Sequence, residues 1–126
     1  MAEQIRVVLV EDNDVFREAL ELLLGLRPEI QIIASVADGA DAAQAASQLC
    51  PEVVLMDYRL PGLDGVQATR EVREACPSAA VICLTASATL RERDALTEAG
   101  VVACLRKDEG LDAVISAIQD AAQTKA

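Results

Sequence analysis

The sequence predicts an α/β fold, a doubly wound parallel sheet of five strands with five helices on its two faces. Two observations carry this. Val7-Val8-Leu9-Val10, Val53-Val54-Leu55-Met56, Val81-Ile82-Cys83-Leu84 and Val101-Val102-Ala103-Cys104-Leu105 are continuous apolar runs without alternation, the habit of strands buried on both faces of a parallel sheet. Each run is followed by a stretch of helical periodicity, so strand and helix alternate along the whole chain.

The elements follow in order. After the first strand, Asp14 is read as a helix N-cap. Phe16, Ala19, Leu20 and Leu23 then recur at helical spacing, and Gly25 suggests a stop. Residues 30–36 alternate in part, as an edge strand does. Residues 40–48 form an Ala-rich helix ended by Cys50-Pro51. The 53–57 strand follows, then a turn at 60–65. Val66, Thr69 and Val72 mark a third helix, ended by Cys76-Pro77. After the strand that runs into Thr85, residues 88–99 form a fourth helix with a thin apolar face. Gly100 closes it. Leu111, Val114, Ile115, Ile118 and Ala122 mark a last amphipathic helix.

Right-handed crossovers and the flavodoxin-like strand order 2-1-3-4-5 place a topological switch point between strands one and three. All strands of a parallel sheet end on one edge, and ligands bind outside that edge at the switch point. Glu11, Asp12 and Asp57 end those two strands, and Thr85 and Lys107 end the next two.

Bulk composition narrows the function. The 126 residues suit one domain, expected to span 1–126. The net charge is −10, and the acid surplus extends well beyond the three rim acids. No basic run serves nucleic acid, and no polybasic patch serves a membrane surface. No apolar stretch approaches a membrane span of ~20 residues. Met1-Ala2-Glu3-Gln4 does not read as a signal peptide, and a cytoplasmic protein is expected. Cys50, Cys76, Cys83 and Cys104 form no CxxC pair and have no His beside them. They read as four reduced, mostly buried thiols.

The rim dictates its chemistry. Converging carboxylates repel, and a hard divalent cation such as Mg²⁺, with its oxygen ligands, offsets that repulsion. Lys107 would pair with a carboxylate at rest and with a phosphoryl oxygen later. Thr85 is either a helix N-cap or a donor to a phosphoryl oxygen. With no His available, a carboxylate can itself be the nucleophile that accepts a phosphoryl group. Asp57 ends the middle strand, between the acids and the Thr85–Lys107 side, and is the acceptor candidate.

These residues resemble a known family, the receiver domains of two-component response regulators. The resemblance rests on Glu11-Asp12, on the segment Asp57-Tyr58-Arg59-Leu60-Pro61-Gly62-Leu63-Asp64-Gly65, on Thr85-Ala86 and on Lys107. It implies Mg²⁺ held by Glu11, Asp12, Asp57 and the backbone carbonyl of Arg59. It implies phosphorylation of Asp57 by a His of a sensor histidine kinase, with Thr85 and Lys107 binding the phosphoryl group. The signal would pass to the face of helix four, strand five and helix five. That face, or helices one and five, would also serve a homodimer. The role the resemblance implies is that of a phosphorelay switch rather than an enzyme.

Two positions depart from the common pattern. Cys104 stands where many receivers carry a strand-five switch aromatic. Asp108 follows the lysine where many carry Pro, which resembles the subfamily with C-terminal helix-turn-helix output domains. No such domain lies within the chain. It is expected to be the receiver part of a longer transcription regulator, the alternative being a stand-alone receiver acting by protein contact. A dehalogenase-type phosphatase would want an Asp at Arg59. A flavodoxin-type carrier would not place Glu11-Asp12-Asn13-Asp14 in its phosphate loop. A degenerate receiver would not keep the full set of acids, Thr and Lys.

Overall fold

A computed structural model describes residues 4–58, 64–85 and 89–123. Its parallel sheet has the order β2-β1-β3-β4-β5, as the sequence predicts. The strands are β1 (Ile5–Val10), β2 (Ile30–Val36), β3 (Val53–Asp57), β4 (Ala80–Thr85) and β5 (Val101–Arg106). The helices are α1 (Asp14–Gly25), α2 (Gly39–Leu49), α3 (Gly65–Ala75), α4 (Leu90–Ala99) and α5 (Leu111–Gln123).

The pleat of the central strands splits the core in two. Val8, Val10, Val54, Met56, Val81 and Cys83 pack on one side with Ala42 and Ala46 of α2, Ala68 and Val72 of α3 and Leu96 of α4. Val7, Leu9, Val53, Leu55, Ile82 and Leu84 pack on the other with Leu20 and Leu24 of α1 and with Val114, Ile115 and Ile118 of α5. Burial on both faces explains why these strands read as unbroken apolar runs. The edge strands β2 and β5 are less buried.

Several local readings are corrected. The N-cap of α1 is Asn13, whose side chain accepts from Phe16 N, and Asp14 is the first helical residue. A cap side chain must reach the N–H three residues on, and the apolar position it serves here is Phe16. Gly25 lies inside the helix, and Leu24 rather than Leu23 is fully buried. The cap of α4 is Thr89 in a reciprocal pair with Glu92, which removes the N-cap reading of Thr85. Cys50 and Cys76 are joined as a disulfide, and only Cys83 and Cys104 are free thiols. The pairing follows from topology, because both cysteines end neighbouring helices that run the same way back across the sheet.

An ion pair just before β2 is joined to α5 by a hydrogen bond. Arg27 donates to Glu29 through Nε at 3.1 Å and Nη2 at 2.8 Å, and Gln119 Nε2 donates to the same carboxylate at 3.2 Å. The Arg27 hydrogen bonds, foremost, hold the Glu29 carboxyl down to about 2 from its ordinary 4.5. A depressed acid stabilises the fold above its unfolded pKa and ceases to do so as pH falls through its folded one. Glu29→Gln should therefore flatten the pH dependence of the melting temperature between pH 4.5 and about 2 by lowering the neutral value, leaving the value at the acid end nearly unchanged.

Candidate functional site

Four helices begin on the same edge of the sheet, because each follows a parallel strand. Their caps, Asn13, Asp38, Asp64 and Thr89, frame the rim on which the predicted site residues lie. Glu11 directly follows β1, and its N–H donates to Val36 O at 3.0 Å. Asp57 is the last residue of β3. The chain beyond it is fixed on both sides: Tyr58 N donates to Leu84 O at 3.0 Å, and Gly65 lies so close that a Cβ there would meet Tyr58 Cα at 2.9 Å. Gly65 thus lets α3 begin directly against the residue after Asp57.

The carboxylates of Glu11, Asp12 and Asp57 converge, each offering an oxygen within 4.8 Å of the others. Glu11 and Asp57 are buried, at 2% and 6% exposure, while Asp12 is open to solvent. Lys107 opens the short 3₁₀ turn Lys107–Glu109 after β5. Its Nζ lies 2.7 Å from Glu11 Oε1 and 3.5 Å from Asp57 Oδ2. Burial pulls the Lys107 amine down, but the Glu11 hydrogen bond and the charges of Asp57 and Glu11 outweigh it and leave the pKa raised. Thr85 ends β4 at 1% exposure. Cys104 is paired in register with Cys83, one pleat before Thr85, whose own partner is Arg106.

Three neighbours of the acids were not legible as site residues. Asn13 N donates to Glu11 Oε2 at 3.0 Å, so both carboxylate oxygens of Glu11 are engaged. Arg17 Nη1 donates to the Glu11 carbonyl at 2.7 Å and Nη2 pairs with Asp14. The Phe16 ring lies 4.5 Å from Lys107 Nζ, a cation–π contact on the ring face. In the sequence Phe16 reads as one more apolar position of α1. The Arg59 carbonyl, the turn at 60–63 and Ala86 lie outside the described residues.

The donor set fits a hard cation. Every candidate ligand is an oxygen, and one ammonium faces three carboxyl groups, so the cluster keeps a formal negative excess. Exposed Asp12 leaves space for the waters that Mg²⁺ retains. Glu11, Asp12 and Asp57 are the residues that would hold it.

The charge balance gives opposite signs for two substitutions. Asp57→Asn removes one of the crowded charges and should raise the metal-free melting temperature. Lys107→Met leaves buried Glu11 without its ionic partner and should cost about 3 kcal/mol. Added Mg²⁺ should stabilise the wild type by about 2.7 kcal/mol at a hundredfold excess over its dissociation constant. Thermal melts with and without EDTA check all three.

A family model described as the response regulator receiver domain matches residues 7–119. The transcriptional regulatory protein LnrK of Bacillus subtilis is 35% identical over 117 residues, covering 90% of this chain and 52% of LnrK. LiaR of the same organism is 30% identical, covering 94% of this chain and 56% of LiaR. The chain therefore spans about half the length of these curated relatives. Among solved structures, the receiver domain of the putative response regulator NarL from Mycobacterium tuberculosis is 30% identical. It superposes with a TM-score of 0.91 over 96% of this chain and 98% of that one. A LuxR-family two-component response regulator from Aurantimonas also gives 0.91, at 27% identity, over 97% and 87% of the two chains.

Proposed function

The chain belongs to the response regulator receiver domain family, and on that premise we propose that it accepts a phosphoryl group onto Asp57 from a His of a sensor histidine kinase, in a Mg²⁺-dependent reaction, and switches conformation to regulate an output. The observation that carries this reading is the convergence of Glu11, Asp12 and Asp57 with the Lys107 ammonium reaching into them.

Each residue has a definable part. Asp57 ends the central strand with its carboxylate beside the cation and serves as nucleophile. Phosphoryl transfer is chiefly positioning and charge neutralisation. Lys107, held at rest by Glu11, turns to a phosphoryl oxygen when one arrives. The Thr85 hydroxyl donates to another. Glu11, Asp12 and Asp57, with the Arg59 carbonyl that the family resemblance implies, would hold Mg²⁺, which when bound would supply further positive charge toward the phosphoryl oxygens. The product is an acyl phosphate, hydrolysable and so suited to a switch. The protein promotes its own phosphorylation and dephosphorylation and acts on no other substrate.

Transcription control through a helix-turn-helix domain is the proposed output, because the relatives LnrK and LiaR are named as transcriptional regulatory proteins. Action as a stand-alone receiver is the alternative. A cytoplasmic location fits the partners proposed, and no described helix is long and apolar enough to cross a membrane. Val15, Leu22 and Leu26 are strongly exposed along α1. Leu90 of α4 and Val102 of β5 are exposed as well, so the α1–α5 face and the α4–β5–α5 face are both proposed as contact surfaces for the kinase or a second copy.

Incubation with acetyl phosphate and Mg²⁺ should add one phosphoryl mass to the wild type and none to Asp57→Asn, while Glu11→Gln labels slowly. Normal labelling of the Asn variant overturns the assignment.

Transmission should run through α4. Leu96 is the only fully buried residue of that helix, so α4 is the least firmly docked element and the cheapest to move. Cys104 has no ring to swing. Hydrogen exchange with and without a beryllofluoride mimic should change most across residues 85–106, and Cys104→Ala should keep that response. A change confined elsewhere, or lost in the Ala variant, contradicts the route.

A further inference from the structure

We propose that Cys50 and Cys76 are a reversible thiol–disulfide pair that exchanges with a small disulfide of the glutathione class, and that Cys50 is the sulfur through which exchange enters. The pair lies at the edge of the sheet opposite the acids, so the proposal is independent of the phosphoryl chemistry.

The backbone holds the two residues together whether or not the bond exists. Each is the C-cap of its helix: Cys50 N donates to Ala46 O at 3.0 Å and Cys76 N to Val72 O at 2.9 Å. The two helices share one core cluster through Ala42, Ala45, Ala46, Ala68 and Val72, small residues that allow close approach. Arg6 fixes the Cys50 end by donating to Leu49 O at 2.8 Å and Cys50 O at 3.1 Å. The resulting Cα separation of 5.6 Å suits a disulfide. Opening and closing the bond therefore requires no rearrangement of either helix.

Access to the two residues is unequal. Cys50 is exposed, whereas Cys76 is buried at 1%. Ser78 Oγ lies 3.4 Å from Cys76 Sγ and 3.7 Å from Cys50 Sγ, placed to donate to a sulfur that leaves as thiolate.

The chemistry balances as follows. The Cys50 thiolate attacks one sulfur of glutathione disulfide, whose S–S bond breaks and releases one glutathione thiolate. Cys76 then attacks the Cys50 sulfur of the mixed disulfide and expels the second. Two protein thiols are oxidised by two electrons, one glutathione disulfide is reduced to two glutathiones, and the protons of the protein thiols pass through solvent to them. In reverse, glutathione attacks Cys50 and Cys76 leaves, hydrogen-bonded by Ser78. The closed loop spans residues 51–75, which includes β3 and α3. Oxidation should thus raise the melting temperature by about 10 °C.

The test uses the full chain equilibrated in glutathione redox buffers, quenched in acid and alkylated under denaturing conditions for mass spectrometry. Oxidised protein should alkylate only Cys83 and Cys104 and yield a linked Cys50–Cys76 peptide. Reduction by glutathione alone should free all four. Cys76→Ser should accumulate one glutathione on Cys50, while folded Cys50→Ser should take none on Cys76. In wild type, early quenching should find the mixed disulfide on Cys50, a readout that needs no variant to fold. Four alkylated thiols after oxidation, a Cys83–Cys104 link, a bond that glutathione cannot reduce, or glutathione trapped first on Cys76 would each overturn the proposal.

Discussion

Repulsion among three carboxylates is the constraint around which the functional edge is arranged. Strands β1 and β3 are neighbours in the sheet, and each ends on acid. A parallel sheet of this order cannot keep Glu11 and Asp57 apart. The protein offsets the cost only in part. It brings Lys107 from beyond β5, three strands from β1, over the Phe16 ring and onto Glu11. The α1 N-terminus contributes Asn13 N to the other Glu11 oxygen. A second cation in the same place would have halved the negative excess of the cluster and weakened its pull on a metal. The incomplete compensation is what leaves the edge able to take up positive charge.

The two faces of the sheet are held unequally. Helices α2 and α3 pack through small side chains into one cluster with the central strands, and the disulfide joins their ends. Helix α4 lies on the same face with Leu96 alone fully buried. Its capping box satisfies backbone donors at its N-terminus but adds nothing to its docking. A well-formed helix weakly attached to the sheet moves as a body rather than melting. That is the mechanical property a switch element needs.

The architecture and the rim were legible for one reason. Strands buried on both faces leave continuous apolar runs, and in a parallel sheet the residue that ends each run falls on the same edge. Glu11, Asp57, Thr85 and Lys107 could therefore be placed together without any motif. Readings that depend on one-residue phase were weaker. Asn13 and Asp14 are both good caps, and only the position of Phe16 in the helix separates them. Leu23 and Leu24 differ in burial by the same single step. The disulfide has its own trace in the sequence. Leu49-Cys50-Pro51 and Ala75-Cys76-Pro77 stand at equivalent places in successive strand–helix units, 26 residues apart. Parallel neighbours of equal length bring equivalent places side by side. Metal-ligand spacing of the cysteines carries no trace of this pairing, whereas their position at the helix ends does.

The absence of an aromatic in β5 also acquires a physical meaning. Cys104 faces Cys83 across the ladder, on the pleat side that leads to Thr85. A side chain of that size has no large alternative position, so it cannot store the state of the site. On the proposed function, a displacement of Thr85 would act through the chain, whose next described residue is the Thr89 cap of α4. The weak docking of α4 and the small residue in β5 are therefore complementary, since a helix that yields to backbone tension requires no rotating side chain to release it.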